Sequence, residues 1–536
     1  VCGANGMGFY NVRDNVWACG FDSSDHEGPG NVALISHSGA GMSGLIDSDE
    51  RLRINLAVST GNELDATMDE YLDFVLDLPE TRAVGLFIET ARNPAGFRAA
   101  LDKAARKQIP VVAIKVGRTE ESKQLMVSHS GAMAGDDAAY DALFDRYGVQ
   151  RVRDMDELAT TLILFAELDR VGGGDLVSLH DSGGERQLMI DLADEAGVTL
   201  TKLRPETVAE IEAVLDPELP AVNPLDAWSR GGPDASEQMA ASLAAMLRDP
   251  GTALGAVIHD RAPYGKVYQS YLGYMKHAHQ ESGKPVALVA ARQGTGHDES
   301  VVDETASGFP VLDNVPIFLR GVRALFDYRD FLERDDGPMP EVVAPAAEIE
   351  PGEAAALKLL ADFGLPVVPV TTINKESAAV AATYPVVLKT AAPGILHKSD
   401  VGGVLLNIGS DEQLRAAYAE MAGRLGPEAL IAPMAGDGVE MMLGMRLDSQ
   451  FGPVVLIGFG GVYAETLRDV AYALPPFTAE HARRCIDRLQ LRPMLDGQRG
   501  QPASDIDAFC DAAARFSVMV EAMRDTLREV VGIPCV

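Results

Sequence analysis

Val32 to Met42 reads VALISHSGAGM, an almost wholly apolar run, then Ser-His-Ser-Gly, then small residues. A short β-branched run with no polar face is what a strand covered on both sides requires, and a Gly-rich turn after it hands the chain to a helix. The rhythm recurs in VGLFIE (Val84 to Glu89) and PVVAIKV (Pro110 to Val116), with the amphipathic stretch Pro94 to Lys107 between them. Gly30 to about Val171 therefore reads as a parallel, doubly wound sheet. After the flexible Gly172 to Gly174 the pattern restarts with LVSLHDSGGE (Leu176 to Glu185), LGAVIHD (Leu254 to Asp260) and PVALVAA (Pro285 to Ala291), which predicts a second α/β domain. RDDGPMPEVVAPAAEIEP (Arg334 to Pro351) has no apolar period and reads as a linker. Beyond it a helix is expected over Ala354 to Phe363, then strands in LPVVPV (Leu365 to Val370), YPVVLKT (Tyr384 to Thr390) and GPVVLIGFGG (Gly452 to Gly461).

The whole chain sets the bounds. Its 536 residues exceed one core and suggest about three or four domains. A net charge of −33 argues against nucleic acid or an anionic membrane as partner, since both need a cationic surface. No apolar run reaches the roughly 18 residues a membrane span needs. Five cysteines without a CxxC spacing argue against a zinc site and a disulfide framework, and fit a reducing, cytoplasmic setting. The first residues lack the basic and apolar regions of a signal peptide.

Chemistry gathers at the glycine-rich turns. MVSHSGAMAG (Met126 to Gly135) nearly repeats ISHSGAGM (Ile35 to Met42) and places His129 before Gly131, Ala132 and a helix-forming run. Free N–H groups at a helix start favour an anion, so an imidazole there is placed to carry phosphate. A neutral, oriented imidazole is a nucleophile, and a carboxylate on its other nitrogen supplies the orientation. Glu89, closing the strand GLFIE, lies where open α/β sheets collect ligands. The ordinary alternative is a capped loop histidine. His37 shows no obvious carboxylate partner and reads as a loop residue. SHSGAGMSG (Ser36 to Gly44), DSGGE (Asp181 to Glu185) and GFGG (Gly458 to Gly461) offer further backbone N–H groups to phosphate, although tight turns need glycine for backbone reasons as well. In VVLKTAAPGILHKSDVGGV (Val386 to Val404), Lys389 suits polyphosphate charge and His397 lies in a Gly-flanked loop; a salt-bridged lysine and a solvated histidine are the alternatives.

In their order these segments resemble the nucleoside-diphosphate-forming acyl-CoA synthetases, relatives of succinyl-CoA ligase. The likeness runs from VCGANGMGFYN (Val1 to Asn11) through GNVALISHSGA, SHSGAMAG, DSGGE with NPLD (Asn223 to Asp226) and LKTAAPGILHKSDVGGV to RLDSQFGPVVLIGFGGVYAETLRDVAYALPP (Arg446 to Pro476). It implies two flavodoxin-like doubly wound parallel-sheet domains followed by an ATP-grasp domain. The implied boundaries are 1–21 for the tail of a CoA-binding Rossmann domain, 22–171 and 172–334 for the flavodoxin-like domains, 335–350 for the linker and 351–536 for the ATP-grasp domain.

The resemblance implies the reaction acid + CoA + ATP ⇌ acyl-CoA + ADP + phosphate, with Mg²⁺ accompanying the nucleotide and CoA as co-substrate. His129 matches the phosphorylated histidine, Glu89 the glutamate that steadies it, and His397 a second histidine on a phosphate-carrying loop. Lys389, Ile431, Ala432, Met434 and Glu440 match a nucleotide site. Ser36, Ser38, Gly39, Ser182, Gly183, Gly184, Gly460 and Gly461 would face phosphate, while Glu465 and Asp469 match a metal or phosphate support, or else two acids on one helix face. Family chains often associate as dimers, which implies a homodimer.

Two departures belong with this reading. A CoA-binding domain is expected before VCGANG, and REVVGIPCV (Arg528 to Val536) stands where the family has a stretch like EVDINPV, so that Val531 and Ile533 occupy its Asp and Asn positions. An aliphatic side chain cannot ligate Mg²⁺. The chain thus reads as a fragment of a longer enzyme or a divergent member, with a non-catalytic nucleotide-binding fragment or a regulatory acyltransferase-related module as the competing expectations.

Overall fold

The computed structural model describes residues 3–20, 28–46, 49–119, 121–122, 136–228, 234–260, 266–292, 299–343, 352–381, 383–395, 398–436, 438–461, 467, 469–497 and 502–535. The chain divides into two compact units, one of residues 1–137 and 144–334, the other of 138–143 and 335–536.

The first unit begins with a hairpin, β1 (Gly8–Asn11) and β2 (Val16–Cys19). Then come β3 (Val32–Ser36), α1 (Gly39–Ile46), β4 (Ile54–Ser59), α2 (Met68–Val75), β5 (Ala83–Ile88), α3 (Pro94–Lys107), β6 (Val111–Lys115), α4 (Asp137–Tyr147), of which residues 138–143 are counted with the second unit, β7 (Gln150–Val152) and α5 (Met155–Glu167). The sheet order is β2-β1-β4-β3-β5-β6-β7, with every pair from β4 to β7 parallel and the hairpin antiparallel on β4. Residues 8–19, expected to close a preceding domain, are thus two strands of this sheet. Numbered from β3, the parallel part runs 2-1-3-4-5, the flavodoxin order, and its connections diverge between β3 and β5.

A second sheet repeats that order. Its elements are β8 (Asp175–His180), α6 (Gly183–Ala196), α7 (Pro205–Glu212), β9 (Leu225–Asp226), α8 (Ala235–Arg248), β10 (Thr252–His259), α9 (Gln269–Ser282), β11 (Val286–Ala290), α10 (Glu299–Ala306), β12 (Val311–Asp313) and α11 (Val315–Glu333). Strands lie as β12-β11-β10-β8-β9, all parallel, so this sheet diverges between β8 and β10.

Local chemistry explains the boundaries. α3 starts at Pro94 because Asn93 caps it, its Oδ1 accepting from Gly96 N at 3.2 Å, and it stops at Gln108, whose φ of +55° no helix continues. Phe97 and Leu101 turn inward from it, each burial stabilising by about 1.5–3 kcal/mol. Residues of both sheets share one buried cluster, including Leu34, Val112, Leu162, Leu254, Phe318 and Leu319. Gly321 lets α11 lie against α5: a Cβ there would fall 2.5 Å from Leu164 Cδ1.

The second unit contains α12 (Glu353–Asp362), β13 (Thr371–Ile373), β14 (Val386–Thr390), β15 (Val404–Ile408), α13 (Asp411–Leu425), β16 (Ala429–Pro433), β17 (Met441–Asp448), β18 (Gly452–Phe459), β19 (Val470–Ala473), α14 (Ala479–Asp487), α15 (Ile506–Ala522) and β20 (Glu529–Cys535). They make two antiparallel sheets, β13-β16-β14-β15 and β19-β18-β17-β20, each over its own apolar cluster. The strand expected over Leu365 to Val370 is absent, and pairing starts at Thr371. Pro366 and Pro369 explain the difference, because neither has an N–H to give a ladder.

Candidate functional site

At the divergence point of the first sheet, β3 ends in Ser36. Its hydroxyl is fully buried, donates to Ser38 O at 2.7 Å and accepts from Ser38 N at 3.1 Å. Ser36 therefore shapes the turn from inside, a correction to its expected phosphate-facing place. Ser38 Oγ accepts from Gly41 N at 3.2 Å and caps α1. Gly39 opens that helix beneath Met7, and a Cβ on it would lie 2.2 Å from Met7 Cγ. Across the divergence, Glu89 leaves β5 half-buried, and among the described residues no side chain hydrogen-bonds its carboxyl.

His37 is not the partnerless loop residue expected from sequence. It is buried, its Nε2 lies 3.0 Å from Glu63 Oε1, and its Nδ1 lies 3.2 Å from Glu89 N. Sequence reasoning missed Glu63 because the turn after β4, not any local spacing, brings it to His37.

The second sheet presents the matching turn. Ser182 precedes α6, and Gly183 and Gly184 occupy its first positions; a Cβ on Gly183 would stand 3.3 Å from Asp226 Oδ2, the acid of NPLD. Ser182-Gly-Gly-Glu185 has the spacing of a capping box, yet Ser182 makes no side-chain cap bond. Instead Glu185 Oε2 is buried without a hydrogen-bond partner among the described residues, and burial with the nearby Asp181 and Asp260 pushes its carboxyl up to about 7. Asp181 Oδ2 accepts from Tyr271 Oη at 2.5 Å, and the Tyr271 ring stacks on His259 at 4.3 Å. His180, at the end of β8, has its Nε2 2.9 Å from Ser178 Oγ, and burial followed by the charge of Arg186 pushes it down to about 3. A cavity of about 500 Å³ lined by Arg82, Ile109, Phe165 and Tyr328 opens instead beside the N-terminal ends of β5 and β6, away from these turns.

In the second unit, Lys389 on β14 donates to Glu353 Oε1 at 3.0 Å, and Lys398 pairs with the same carboxyl. Burial works against ionisation of Glu353, but the bonds from Lys398 and Lys389 hold it below the usual carboxylate range. The salt-bridged alternative for Lys389 is thus present, with a partner that sequence did not reveal. Ile431 and Ala432 on β16 sit in register with Leu388 and Val387, and Met434 N donates to Pro385 O at 3.2 Å, so these expected nucleotide-site residues run beside the lysine strand.

Glu440 and the GFGG turn come together: Gly460 N donates to Glu440 O at 2.7 Å, and a Cβ on Gly461, whose φ is +59°, would meet Glu440 Oε2 at 2.3 Å. Asp469 is not on a helix face. It precedes β19, and its two carboxyl oxygens accept from Gln490 N at 2.9 Å and Leu491 N at 2.8 Å, so it pins that turn. Among the described residues no group of three His, Cys, Asp or Glu is gathered as for a protein-built metal site. Mg²⁺ on a nucleotide needs only one or two carboxylates beside water and phosphate oxygens, and the Glu440 carboxyl against the glycine turn fits that demand. His129, His397 and Glu465 lie outside the described residues.

Two flavodoxin-ordered sheets with glycine turns at their divergence points, followed by a pair of antiparallel sheets with Lys389 on β14 and Glu440 just before β17, define a multi-domain α/β protein. Family models agree: a succinyl-CoA ligase like flavodoxin domain matches residues 29–165, and an ATP-grasp domain matches 348–530. A trans-feruloyl-CoA synthase from an unknown prokaryotic organism is 30% identical over 524 residues, covering 93% of this chain and 73% of that protein. The ADP-forming 4-hydroxybutyrate–CoA ligase of Nitrosopumilus maritimus is 27% identical, over 92% of this chain and 74% of its own. In fold, the chain resembles a dinucleotide-forming acetyl-coenzyme A synthetase of Ca. Korarchaeum cryptofilum solved with phosphate and ADP, at a TM-score of 0.54 and 23% identity, covering 62% of this chain and 71% of that one. The chain belongs to the ADP-forming acyl-CoA synthetase family.

Proposed function

We propose that this chain is an ADP-forming acid–CoA ligase that acts through phosphorylation of His129. The observation that carries the reading is the shared strand order of the first two sheets, which sets Glu89 at one divergence point and the Ser182–Gly184 turn at the other. Membership in a family whose relatives include ligases for acetate and 4-hydroxybutyrate supports it.

The ATP-grasp region binds ATP, with Ile431, Ala432 and Met434 on the adenine side and Lys389 exchanging Glu353 for phosphate oxygens. Glu440 would hold Mg²⁺ as a protein carboxylate, and the ion would supply charge neutralisation on the polyphosphate. A neutral imidazole nitrogen of His129 attacks the γ-phosphorus; the N–P bond forms as the bond to ADP breaks. Glu89 accepts the proton on the opposite ring nitrogen and keeps the attacking nitrogen bare. Gly39, Gly183 and Gly184 present helix-start N–H groups to the phosphoryl oxygens. A carboxylate oxygen of the acid then takes the phosphoryl group, giving an acyl phosphate, and the CoA sulfur displaces phosphate from the acyl carbon. His397 hydrogen-bonds the phosphoryl group on its way from ATP to His129 and forms no N–P bond of its own.

In Pyrococcus furiosus the related ligase has separate subunits. This chain is 36% identical to a β subunit over 191 residues and 28% identical to an α subunit over 254. One polypeptide here joins both kinds of region, and we place it in the cytoplasm as a homodimer; among the described residues no helix is long and apolar enough to cross a membrane. Exchange of labelled ADP into ATP, with acid and CoA omitted, tests the reading. It should be present in the wild type and absent in His129→Asn; ADP binding without exchange would leave a nucleotide-binding module instead.

A further inference from the structure

We propose that His37 is the positioning residue for Glu89, fixing through its Nδ1 the backbone from which that carboxyl is presented. The proposal rests on the role given to Glu89 above. β3 and β5 are parallel neighbours in register at Ser36 and Phe87, and the pairing continues one step beyond the strand, His37 N donating to Phe87 O at 3.1 Å. The imidazole then turns toward β5, where Nδ1 is 3.2 Å from Glu89 N and 3.2 Å from Phe87 O, while Nε2 is 3.0 Å from Glu63 Oε1.

The Glu89 N–H is directed at Nδ1, which makes that nitrogen its acceptor and assigns the ring proton to Nε2, on the side of Glu63 Oε1. Both side chains are sealed from water, 2% and 0% exposed, which leaves solvent no access to replace either contact. Glu63 is itself held: its Oε1 accepts from Met68 N at 2.9 Å, where α2 begins, and its own φ is +50°. A chain of contacts therefore runs from the start of α2 through Glu63 and His37 to the first amide beyond β5. A buried amide needs an acceptor, but any carbonyl would serve for that alone. An oriented ring between two elements instead fixes where Glu89 leaves the sheet, and misplacing a catalytic group by about 1 Å can cost about 100-fold.

The test is the ADP–ATP exchange rate of the full chain carrying Glu89→Gln, His37→Ala or His37→Asn, each shown to be folded by its thermal midpoint. Asn sets an acceptor oxygen near the place of Nδ1 without reaching Glu63; Ala offers none. We expect Glu89→Gln to slow exchange strongly and His37→Ala to lower kcat by about 10–100-fold with little change in KM for ATP, while His37→Asn recovers most of the rate. A wild-type rate in His37→Ala beside a damaged Glu89→Gln overturns the proposal and spares Glu89. Equal damage in the Ala and Asn variants rejects the acceptor role, and a wild-type rate in Glu89→Gln removes the reading beneath both.

Discussion

His37 and His129 stand in nearly the same words of sequence, SHSGAG and SHSGAM, and local chemistry cannot separate them. Glu63 gives His37 its meaning, and no periodicity links those two positions; only the β4 turn does. Glu185 was equally opaque. Its spacing from Ser182 advertises a helix cap, whereas its real surroundings are Asp181 and Asp260. Its carboxyl, ordinarily near 4.5, rises to about 7 in the folded protein, so the stability linked to it is present at low pH and lost as pH climbs through that range. Glu185→Gln should remove this dependence: the wild type, compared with the variant, loses thermal midpoint between about pH 5 and 8, by well under the ~1.4 kcal/mol per unit of a fully buried group. A difference that stays flat with pH would exclude it. At Asp469 the carboxyl serves two backbone amides, so Asp469→Ala should destabilise the second unit by about 2–4 kcal/mol, read by denaturant midpoint.

Strands and helix starts were the legible elements. VALIS is β3 to the residue, and Pro94 to Lys107 is α3 to the residue, because continuous β-branched runs and an amphipathic stretch behind a capping Asn specify themselves. LPVVPV misled because its valines promise a strand while its prolines cannot pair. The glycine turns were legible as turns, but which hydroxyl faces outward was not: Ser36 and Ser38 look alike in sequence, and only Ser38 caps α1. Replacing Ser38 with Ala should cost about 1 kcal/mol of stability by thermal melt. Gly461 is stricter. With φ at +59° and Glu440 Oε2 in the way of any Cβ, Gly461→Ala should displace that carboxyl and weaken Mg·ADP binding more than Mg-free ADP binding, which calorimetry compares directly.

At the scale of the molecule, the α/β succession followed from the order of apolar runs, while the antiparallel pairing of the later strands and the hairpin joining residues 8–19 to β4 did not. Two units with separate apolar clusters should melt in separate calorimetric transitions. ADP at about 100 times its Kd should add ~2.7 kcal/mol to the second unit alone. One transition that moves as a whole would contradict that division. The most direct test of the proposed function is the fate of the γ-phosphate. After incubation with γ-labelled ATP and Mg²⁺, the folded chain should carry label that is labile in acid and stable in base, and His129→Asn should carry none. Label that persists undiminished in His129→Asn, or that survives acid, would contradict a phosphohistidine at this position.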